Sequence, residues 1–362
     1  MKFFDLISQR LSMQQEIDHA IENVLSHGQF ILGPEVYELE DLLSDYTGAK
    51  YCVTCANGTD ALQIALMAVG VGPGDEVITP AFSYIATVEA TAVLGAKPVF
   101  VDVDKMTFNM DPSQIEEKIT ENTKAIIPVS LYGQVAEFGE INRIAKKHNI
   151  FVIEDAAQSF GGEYNGVKSC NLSDLACTSF FPTKPLGCYG DGGAVFTSDE
   201  HLARQIRLIA RHGQSRKYFH ERIGINSRLD TIQASILKVK LSYLDHEIQQ
   251  RDRISDFYTN NLRKYPSISV PKIRPGVKSA WAQYTIRIDN RDEIKETLSS
   301  QKIPTIVHYP LPLHKQPALL DPSCNMINSE ELSQEVLSLP FHLYLSEDEK
   351  NTIVDAIVGC IE

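Results

Sequence analysis

A lysine in an unusual setting offers the clearest chemistry in the sequence. Lys184 lies in the segment 179–187, between Pro182 and Pro185 and just before a glycine-rich turn. Most lysines of globular proteins lie on solvated helix faces, whereas this one follows an apolar run and is fixed in a turn. Removal from water lowers the pKa of a lysine amine, which then attacks carbonyl carbon to form a Schiff base. A turn lysine that points outward is the alternative that this segment alone leaves open.

An aspartate upstream, Asp155, supplies the chemical context for Lys184. It follows the apolar run 150–153, which is typical of a fully buried strand. Asp155 is therefore expected at the carboxyl end of a central strand, where open α/β sheets bind their ligands. A Schiff-base lysine paired with a buried aspartate suits pyridoxal phosphate, because the aspartate keeps the pyridine nitrogen protonated and the ring can then accept electrons. A helix N-cap is the alternative role for Asp155.

Strand and helix patterns alternate along the chain before and around these two residues. Strands are predicted at 51–54, 76–79, 98–103, 125–130, 151–154, 176–181 and 193–197, and helices at 59–69, 85–94, 112–119, 138–148 and 200–210. This alternation predicts an α/β fold with a mainly parallel sheet flanked by helices.

A long helical pattern over 230–264 exceeds a typical globular helix, so we expect two helices or one bent helix there. The last third shows a strand at 284–288 and helices at 291–299 and 346–361. We therefore predict a large domain over residues 1–240, opened by an N-terminal helical segment, and a smaller α+β C-terminal domain over residues 241–362.

Composition limits the classes of partner. The chain has 362 residues, a net charge of −13 and 43% hydrophobic residues, and such an acidic chain disfavours nucleic acid and anionic membranes. No segment reaches 18 apolar residues, and we expect a cytoplasmic protein.

Cys52 and Cys55 have the spacing of a redox or zinc pair. They lie on a strand-like run without a second ligand pair, so we interpret them as small buried residues and expect no metal.

The segment 57–60 has the features of an anion site. It opens a helix directly after a strand, so that exposed N–H groups and the helix dipole meet there. In a phosphate cup, Gly58 would allow close approach, Thr59 would donate its hydroxyl and Asp60 its backbone N–H; an ordinary N-cap is the alternative.

The glycine runs 70–74 and 187–193 precede strands. A dinucleotide fingerprint needs the opposite order, which disfavours a nicotinamide-dependent oxidoreductase.

Together these segments resemble the DegT/DnrJ/EryC1/StrS family of sugar aminotransferases, which have the fold-type-I architecture of pyridoxal phosphate-dependent transferases. The resemblance covers nearly the whole chain and is carried by the segments 33–36, 56–62, 154–158, 179–193, 226–230 and 308–310. It implies pyridoxal 5′-phosphate as cofactor, with Lys184 and Asp155 as catalytic residues. It also implies that Ser179 binds the phosphate, Gln158 reaches the ring hydroxyl and Tyr84 stacks on the ring; a core aromatic is the alternative for Tyr84.

The resemblance further implies a homodimer with composite active sites. In the family, the asparagine that matches Asn226 reaches the cofactor phosphate from the neighbouring subunit. Arg228, His308 and Tyr309 match substrate contacts, and we expect them to cross the interface as well. The acidic chain also turns basic between 201 and 228. From Arg211 to Arg228 we expect a basic loop that suits an anionic substrate such as a nucleotide diphosphate.

The matching motifs are most similar to the branch of the family that acts on a UDP-linked 3-oxo uronic acid. We therefore expect amino transfer from L-glutamate to C3 of UDP-2-acetamido-2-deoxy-3-oxo-D-glucuronate, for surface polysaccharide synthesis. A nucleotide-linked 4-keto-hexose is the first alternative acceptor and a keto-cyclitol the second. Family members that dehydrate sugars carry His at the lysine position, so Lys184 favours transamination over dehydration. A regulatory protein without activity would not need Lys184, Asp155 and Gln158 together.

Overall fold

The computed structural model describes residues 1–321 and 323–361. The helices, in chain order, are α1 (Leu6–Ser12), α2 (Gln14–His27), α3 (Pro34–Thr47), α4 (Gly58–Ala68), α5 (Ala86–Val93), α6 (Phe138–His148), α7 (Glu200–Ile209), α8 (Thr231–Leu262), α9 (Arg291–Ser300), α10 (Ile327–Glu335) and α11 (Glu347–Gly359). The strands are β1 (Tyr51–Cys55), β2 (Glu76–Pro80), β3 (Lys97–Val101), β4 (Thr123–Ile126), β5 (Phe151–Asp155), β6 (Glu163–Tyr164), β7 (Val167–Lys168), β8 (Leu175–Ser179), β9 (Gly193–Thr197), β10 (Gln214–Arg216), β11 (Phe219–His220), β12 (Ile268–Ser269), β13 (Val277–Lys278), β14 (Tyr284–Ile288) and β15 (Val336–Leu339).

The central sheet has seven strands in the order β1-β9-β8-β5-β4-β2-β3. The strands from β8 to β3 pair in parallel, whereas β9 runs antiparallel to both β8 and β1. The prediction of a mainly parallel sheet is therefore confirmed. Strand β5 occupies the middle of the sheet and ends at Asp155, so this carboxylate stands where parallel sheets bind ligands.

Helices cover both faces of the sheet because its strands are buried on both sides. One face packs against α4 and α7 through residues such as Leu62, Leu66 and Ile206. The other face packs against α3 and α8 through residues such as Leu39 and Leu237. The sheet thus lies between two apolar layers, and the carboxyl ends of its strands are where a ligand site is expected.

Cys52 and Cys55 lie on opposite faces of β1. Cys52 belongs to the core under α3, and Cys55 belongs to the core under α4. Residues three apart on a strand point in opposite directions, and burial raises the pKa of both thiols. This geometry excludes a redox pair and supports the interpretation of small buried residues.

Helix α8 is one continuous helix of 32 residues. Its first half packs on the core that contains Leu237 and Leu244, and its second half contributes Tyr258 and Leu262 to a separate core around the sheet β12-β14-β15. The helix therefore connects the two hydrophobic cores. A domain boundary at residue 240 stays a prediction, and Glu362, the last residue of the predicted small domain, lies outside the described residues.

Some predicted elements are wrong in kind or extent. Residues 112–119 form two 3₁₀ turns rather than a helix, because Asp111 accepts the N–H of Ser113 and one side chain alone, Ile115, is fully buried there. The strand predicted at 125–130 ends at Ile126, and Pro128 has no N–H for a sheet ladder. In residues 1–321 and 323–361, no helix is both long and apolar enough to span a bilayer.

Candidate active site

A cavity of about 480 Å³ opens at the carboxyl ends of the central strands. Most of the residues predicted from the sequence line it, namely Gly58, Thr59, Tyr84, Asp155, Gln158, Ser179, Lys184, His308 and Tyr309. The others, Asp60, Arg211, Asn226 and Arg228, are not among its lining residues. The roles of both groups remain predictions, but the first group shares one space.

Lys184 reaches this cavity from the turn that follows β8. Its backbone N–H donates to Phe181 O at 2.9 Å, and the chain turns back at Gly187, where an added Cβ would lie 2.5 Å from Pro182 O. Burial lowers the pKa of the Lys184 amine, and the charge of Asp155 opposes that effect. A larger fraction of the amine is therefore neutral, as a nucleophile or proton carrier requires.

Asp155 is held by hydrogen bonds from two elements. The Thr87 hydroxyl, on α5, donates to Asp155 Oδ2 at 2.8 Å, and the Ala157 N–H donates to Oδ1 at 3.2 Å. Burial raises the pKa of Asp155, while these two bonds and the Lys184 charge oppose the rise. A buried, oriented carboxylate of this kind favours a protonated nitrogen placed against it.

The start of α4 forms a second polar wall. The Asn57 side chain caps the helix by accepting the N–H of Asp60 at 2.8 Å, so this N–H already has a partner and the predicted phosphate contact of Asp60 would have to replace it. Gly58 approaches Ser179 so closely that an added Cβ would lie 2.7 Å from Ser179 Cβ. The helix N-terminus, Thr59 and Ser179 thus present donors and a positive dipole end to the same corner of the cavity.

Tyrosine and glutamine side chains form another part of the cavity lining. Gln158 accepts the N–H of Tyr132 at 2.7 Å and donates to Tyr309 Oη at 3.1 Å. The Tyr309 ring lies 6.1 Å from that of Tyr84, which is 57% exposed and so can cover a ligand. His308 Nδ1 lies 2.9 Å from Ser338 Oγ. Burial lowers the pKa of His308 to about 4, so its ring is neutral at pH 7.

Some residues that line or support the cavity were not predicted from the sequence. Phe4, Ser83 and Gln283 line the cavity, and Thr87 orients Asp155. Ser83 precedes the predicted aromatic residue and could have been found from that position. Phe4 and Gln283 come from segments distant in sequence and carry no local motif.

The predicted basic loop forms the hairpin β10–β11 and the segment after it. Arg211 pairs with Asn226 in an isolated β-bridge, and its guanidinium lies 5.9 Å from the Tyr37 ring. Arg222 is engaged elsewhere, because it donates to Gln205 Oε1 at 2.6 Å and to Met67 O at 2.9 Å. The basic loop from Arg211 to Arg228 therefore has fewer arginines available to a substrate than the sequence suggested.

The cavity fits pyridoxal phosphate by its donor set. A phosphate needs N–H and O–H donors, which the corner at Gly58, Thr59 and Ser179 provides. A pyridinium nitrogen needs a buried carboxylate, and Asp155 is one. An aldehyde needs an amine that is neutral part of the time, and burial shifts Lys184 in that direction. Each polar group of the cofactor thus finds a partner of the matching kind.

Comparison with known proteins agrees with this geometry. The profile of the DegT/DnrJ/EryC1/StrS aminotransferase family matches residues 11–358. The chain is 57% identical to the UDP-2-acetamido-2-deoxy-3-oxo-D-glucuronate aminotransferase of Pseudomonas aeruginosa, over 99% of this chain and 100% of that protein.

Solved structures match the whole fold as well. A DegT/DnrJ/EryC1/StrS aminotransferase from Brucella abortus superposes with a TM-score of 0.96 at 44% identity and covers 99% of both chains. NtdA from Bacillus subtilis, solved with bound cofactor PMP, superposes with a TM-score of 0.91 at 31% identity and covers 97% of this chain and 82% of that one. These matches confirm the predicted fold-type-I architecture and its pyridoxal phosphate chemistry. The chain belongs to the DegT/DnrJ/EryC1/StrS aminotransferase family.

Proposed function

We propose that this aminotransferase moves the amino group of L-glutamate to C3 of UDP-2-acetamido-2-deoxy-3-oxo-D-glucuronate. The observation that carries the proposal is the 57% identity, over both full chains, to the Pseudomonas aeruginosa enzyme of that name. The product would be a 3-amino sugar nucleotide for surface polysaccharide. Nucleotide sugars are made in the cytoplasm, and the chain's cysteines are all free thiols, which suits that reducing compartment.

The chain's own residues suit each part of this reaction. When bound, pyridoxal phosphate supplies a carbonyl that captures an amine and a ring that accepts electrons. Lys184 would hold the cofactor and, once released, take the proton from the α-carbon of the amino donor. Asp155 would face the ring nitrogen, and the corner formed by Gly58, Thr59 and Ser179 would hold the phosphate.

We further propose a homodimer in which Asn226, Arg211 and Arg228 complete the partner's site. These residues do not line the cavity of their own chain, whereas His308 and Tyr309 do, so these two are not proposed to cross the interface. The hairpin beside them and the segment after it expose large apolar side chains, with Tyr218 80% and Ile223 84% exposed. Such a patch suits burial against a second copy. The arginines would then supply positive charge for a diphosphate or a carboxylate.

The test offers glutamate together with one of two acceptors. The first is the 3-oxo uronate, generated in place by a dehydrogenase, and the second is a UDP-linked 4-keto-hexose. The proposal predicts a 3-amino product from the first acceptor and little turnover of the second. Turnover of the 4-keto sugar alone would refute the C3 assignment while leaving the aminotransferase chemistry intact.

A further inference from the structure

Glu154 is a fully buried carboxylate one residue before Asp155. Because side chains alternate along a strand, it lies on the opposite face of β5 from Asp155, and it is not among the residues that line the cavity. Its hydrogen-bond partners are all uncharged. The Ser169 hydroxyl donates to Oε1 at 2.6 Å, the Ser130 hydroxyl to Oε1 at 3.4 Å and the Cys170 N–H to Oε2 at 2.9 Å. A carboxylate buried in this way costs free energy that an apolar residue would not.

The first link from Glu154 leads to the turn that carries Gln158. Ser169 Oγ lies 2.7 Å from Ser159 Oγ, and because the Ser169 hydrogen goes to Glu154, Ser159 is the donor of this bond. Ser159 follows Gln158 directly, and its N–H closes the turn by donating to Ala156 O at 3.0 Å. The backbone next to Gln158 is therefore tied to the Glu154 carboxylate.

The second link leads to the segment that contacts Gln158 from the other side. The hydroxyl of Ser130 donates to Glu154. Two residues further on, the Tyr132 N–H donates to Gln158 Oε1 at 2.7 Å. Both segments that set the position of Gln158 thus meet at Glu154.

The Tyr132 bond also fixes which end of the Gln158 amide is left for a ligand. Oε1 accepts the Tyr132 N–H, so Nε2 is the remaining end. Nε2 carries two hydrogens, and one of them goes to Tyr309 Oη at 3.1 Å. Gln158 lines the cavity, and its second hydrogen suits an acceptor such as the ring oxygen of the cofactor.

We propose that Glu154 is a positioning residue that holds Gln158 in the orientation that donates to the ring oxygen of the bound cofactor. The carboxylate acts through Ser169 and Ser159 on one side and through Ser130 on the other, and it does not touch the cofactor itself. The inference goes beyond the proposed function, because it does not depend on which sugar accepts the amino group. It uses the expected contact between Gln158 and the ring oxygen, which the test measures as well.

The pH at which the bound cofactor changes its visible absorbance provides a measure of this contact. The proton of the Lys184 Schiff base is shared with the ring oxygen, and a donor to that oxygen weakens its hold on the proton. Gln158→Met should therefore raise the midpoint of the absorbance change by about one pH unit. The other titratable groups that line the cavity stay the same in every variant, namely Tyr84, Asp155, Asp191, His308 and Tyr309.

Three variants test the link from Glu154 to Gln158. Glu154→Met removes the acceptor and should raise the midpoint by part of the shift seen in Gln158→Met. Glu154→Gln should keep the wild-type midpoint, because its oxygen can accept the Cys170 N–H and its amide nitrogen can donate to Ser169, whose hydroxyl then turns towards Ser159. Ser159→Ala cuts the chain without disturbing Glu154 and should raise the midpoint too.

A double variant shows whether Glu154 acts through Gln158. The midpoint of Glu154→Met/Gln158→Met should equal that of Gln158→Met alone, because no amide is left to position. Shifts that add in the double variant, or an unchanged midpoint in Glu154→Met or in Gln158→Met, would overturn the proposal. A lowered midpoint in both Glu154→Met and Glu154→Gln would also overturn it, because loss of a negative charge destabilises a nearby cation and the carboxylate would then act through its charge.

Glu40 provides a matched control for stability. It is another buried carboxylate that joins two elements, since it accepts the N–H and the hydroxyl of Thr54 at 2.9 and 3.0 Å, and it does not line the cavity. Glu40→Met should lower the Tm and leave the midpoint unchanged. A shifted midpoint in Glu40→Met would show that lost stability alone moves it, and would overturn the role of Glu154.

All of these measurements use the cofactor-loaded enzyme without sugar. A negative result therefore leaves the proposed transfer to C3 standing, and turnover of a 4-keto sugar would leave the role of Glu154 standing.

Discussion

The hydroxyl of Thr87 donates a 2.8 Å hydrogen bond to Asp155 Oδ2, which ties the end of the central strand to α5. The Ala157 N–H fixes the other oxygen, so the carboxylate has one orientation before any ligand binds. Preorganisation of this kind removes an ordering cost from cofactor binding. Asp155 can therefore accept a hydrogen bond from a pyridinium nitrogen in one defined direction.

Replacement of Thr87 by Val tests this positioning. The variant keeps the shape of the side chain but leaves Oδ2 of Asp155 without its neutral donor, which costs about 1–3 kcal/mol. We expect weaker retention of the cofactor and a shifted absorbance maximum, measured by titration of the apoenzyme. Thr87→Ser should behave like the wild type, and a Val variant with unchanged affinity and spectrum would show that the hydroxyl does not position Asp155.

Gly58→Ala tests the close approach at the predicted phosphate corner. The new methyl group would lie 2.7 Å from Ser179 Cβ, so either α4 or β8 must move, at a cost of about 1–3 kcal/mol. Cofactor affinity should fall with little change in the rate of the loaded enzyme. The double variant Gly58→Ala/Ser179→Gly removes the closest contact and should fold with a higher Tm than Gly58→Ala alone; equal Tm values would contradict the steric explanation.

His308 predicts a pH dependence of stability. Burial and the Lys184 charge lower its pKa from the ordinary 6.5 to about 4, so the unfolded chain binds a proton at a pH where the folded chain does not. Stability from this residue is full above pH 6.5 and is lost as the pH falls through 4, by at most about 1.4 kcal/mol per pH unit. The free energy of unfolding of the ligand-free protein, measured between pH 7 and 4, should decline more gently in His308→Asn. Parallel curves would show that His308 does not carry this effect.

Composite active sites predict complementation between inactive variants. Lys184→Ala lacks the amine and Asn226→Ala lacks the residue proposed to cross the interface, so each homodimer should be strongly impaired. Mixed dimers contain one site with both residues intact, and activity should return after subunit exchange, up to about a quarter of the wild-type rate for random mixing. No recovery in dimers shown to be mixed, or an active wild-type monomer, would exclude shared sites.

The site residues that could be predicted from the sequence are those marked by features within a few residues of them. Lys184 and Asp155 stand beside prolines, glycines and a buried strand, and those features act over a few residues. Gln283 and Phe4 could not be found this way, because they enter the cavity through packing between distant segments.

Helix α8 shows the same limit at the level of the fold. Its length exceeds that of a typical globular helix, which led to the expectation of two helices or one bent helix, whereas the structure has one continuous helix that includes the polar stretch 249–256. In the structure Asp252 accepts the indole N–H of Trp281 at 2.7 Å, and Arg251 lies against Glu247 at 3.8 Å. Trp281 comes from the fold around the helix and Glu247 from the preceding turn of the helix itself, so the polar residues are satisfied without breaking it.

Borohydride reduction of the cofactor-loaded protein, followed by peptide mapping, tests most directly whether Lys184 forms the Schiff base. Lys240 is a buried lysine whose pKa is lowered to about 8 by burial, so it is the alternative lysine that the mapping must distinguish from Lys184. We predict a cofactor adduct on the Lys184 peptide. The adduct should be lost in Lys184→Ala, together with a fall in turnover of several orders of magnitude, and it should be retained in Lys240→Met. An adduct on Lys240 or any other lysine, or undiminished turnover in Lys184→Ala, would contradict the assignment of Lys184 as the Schiff-base lysine.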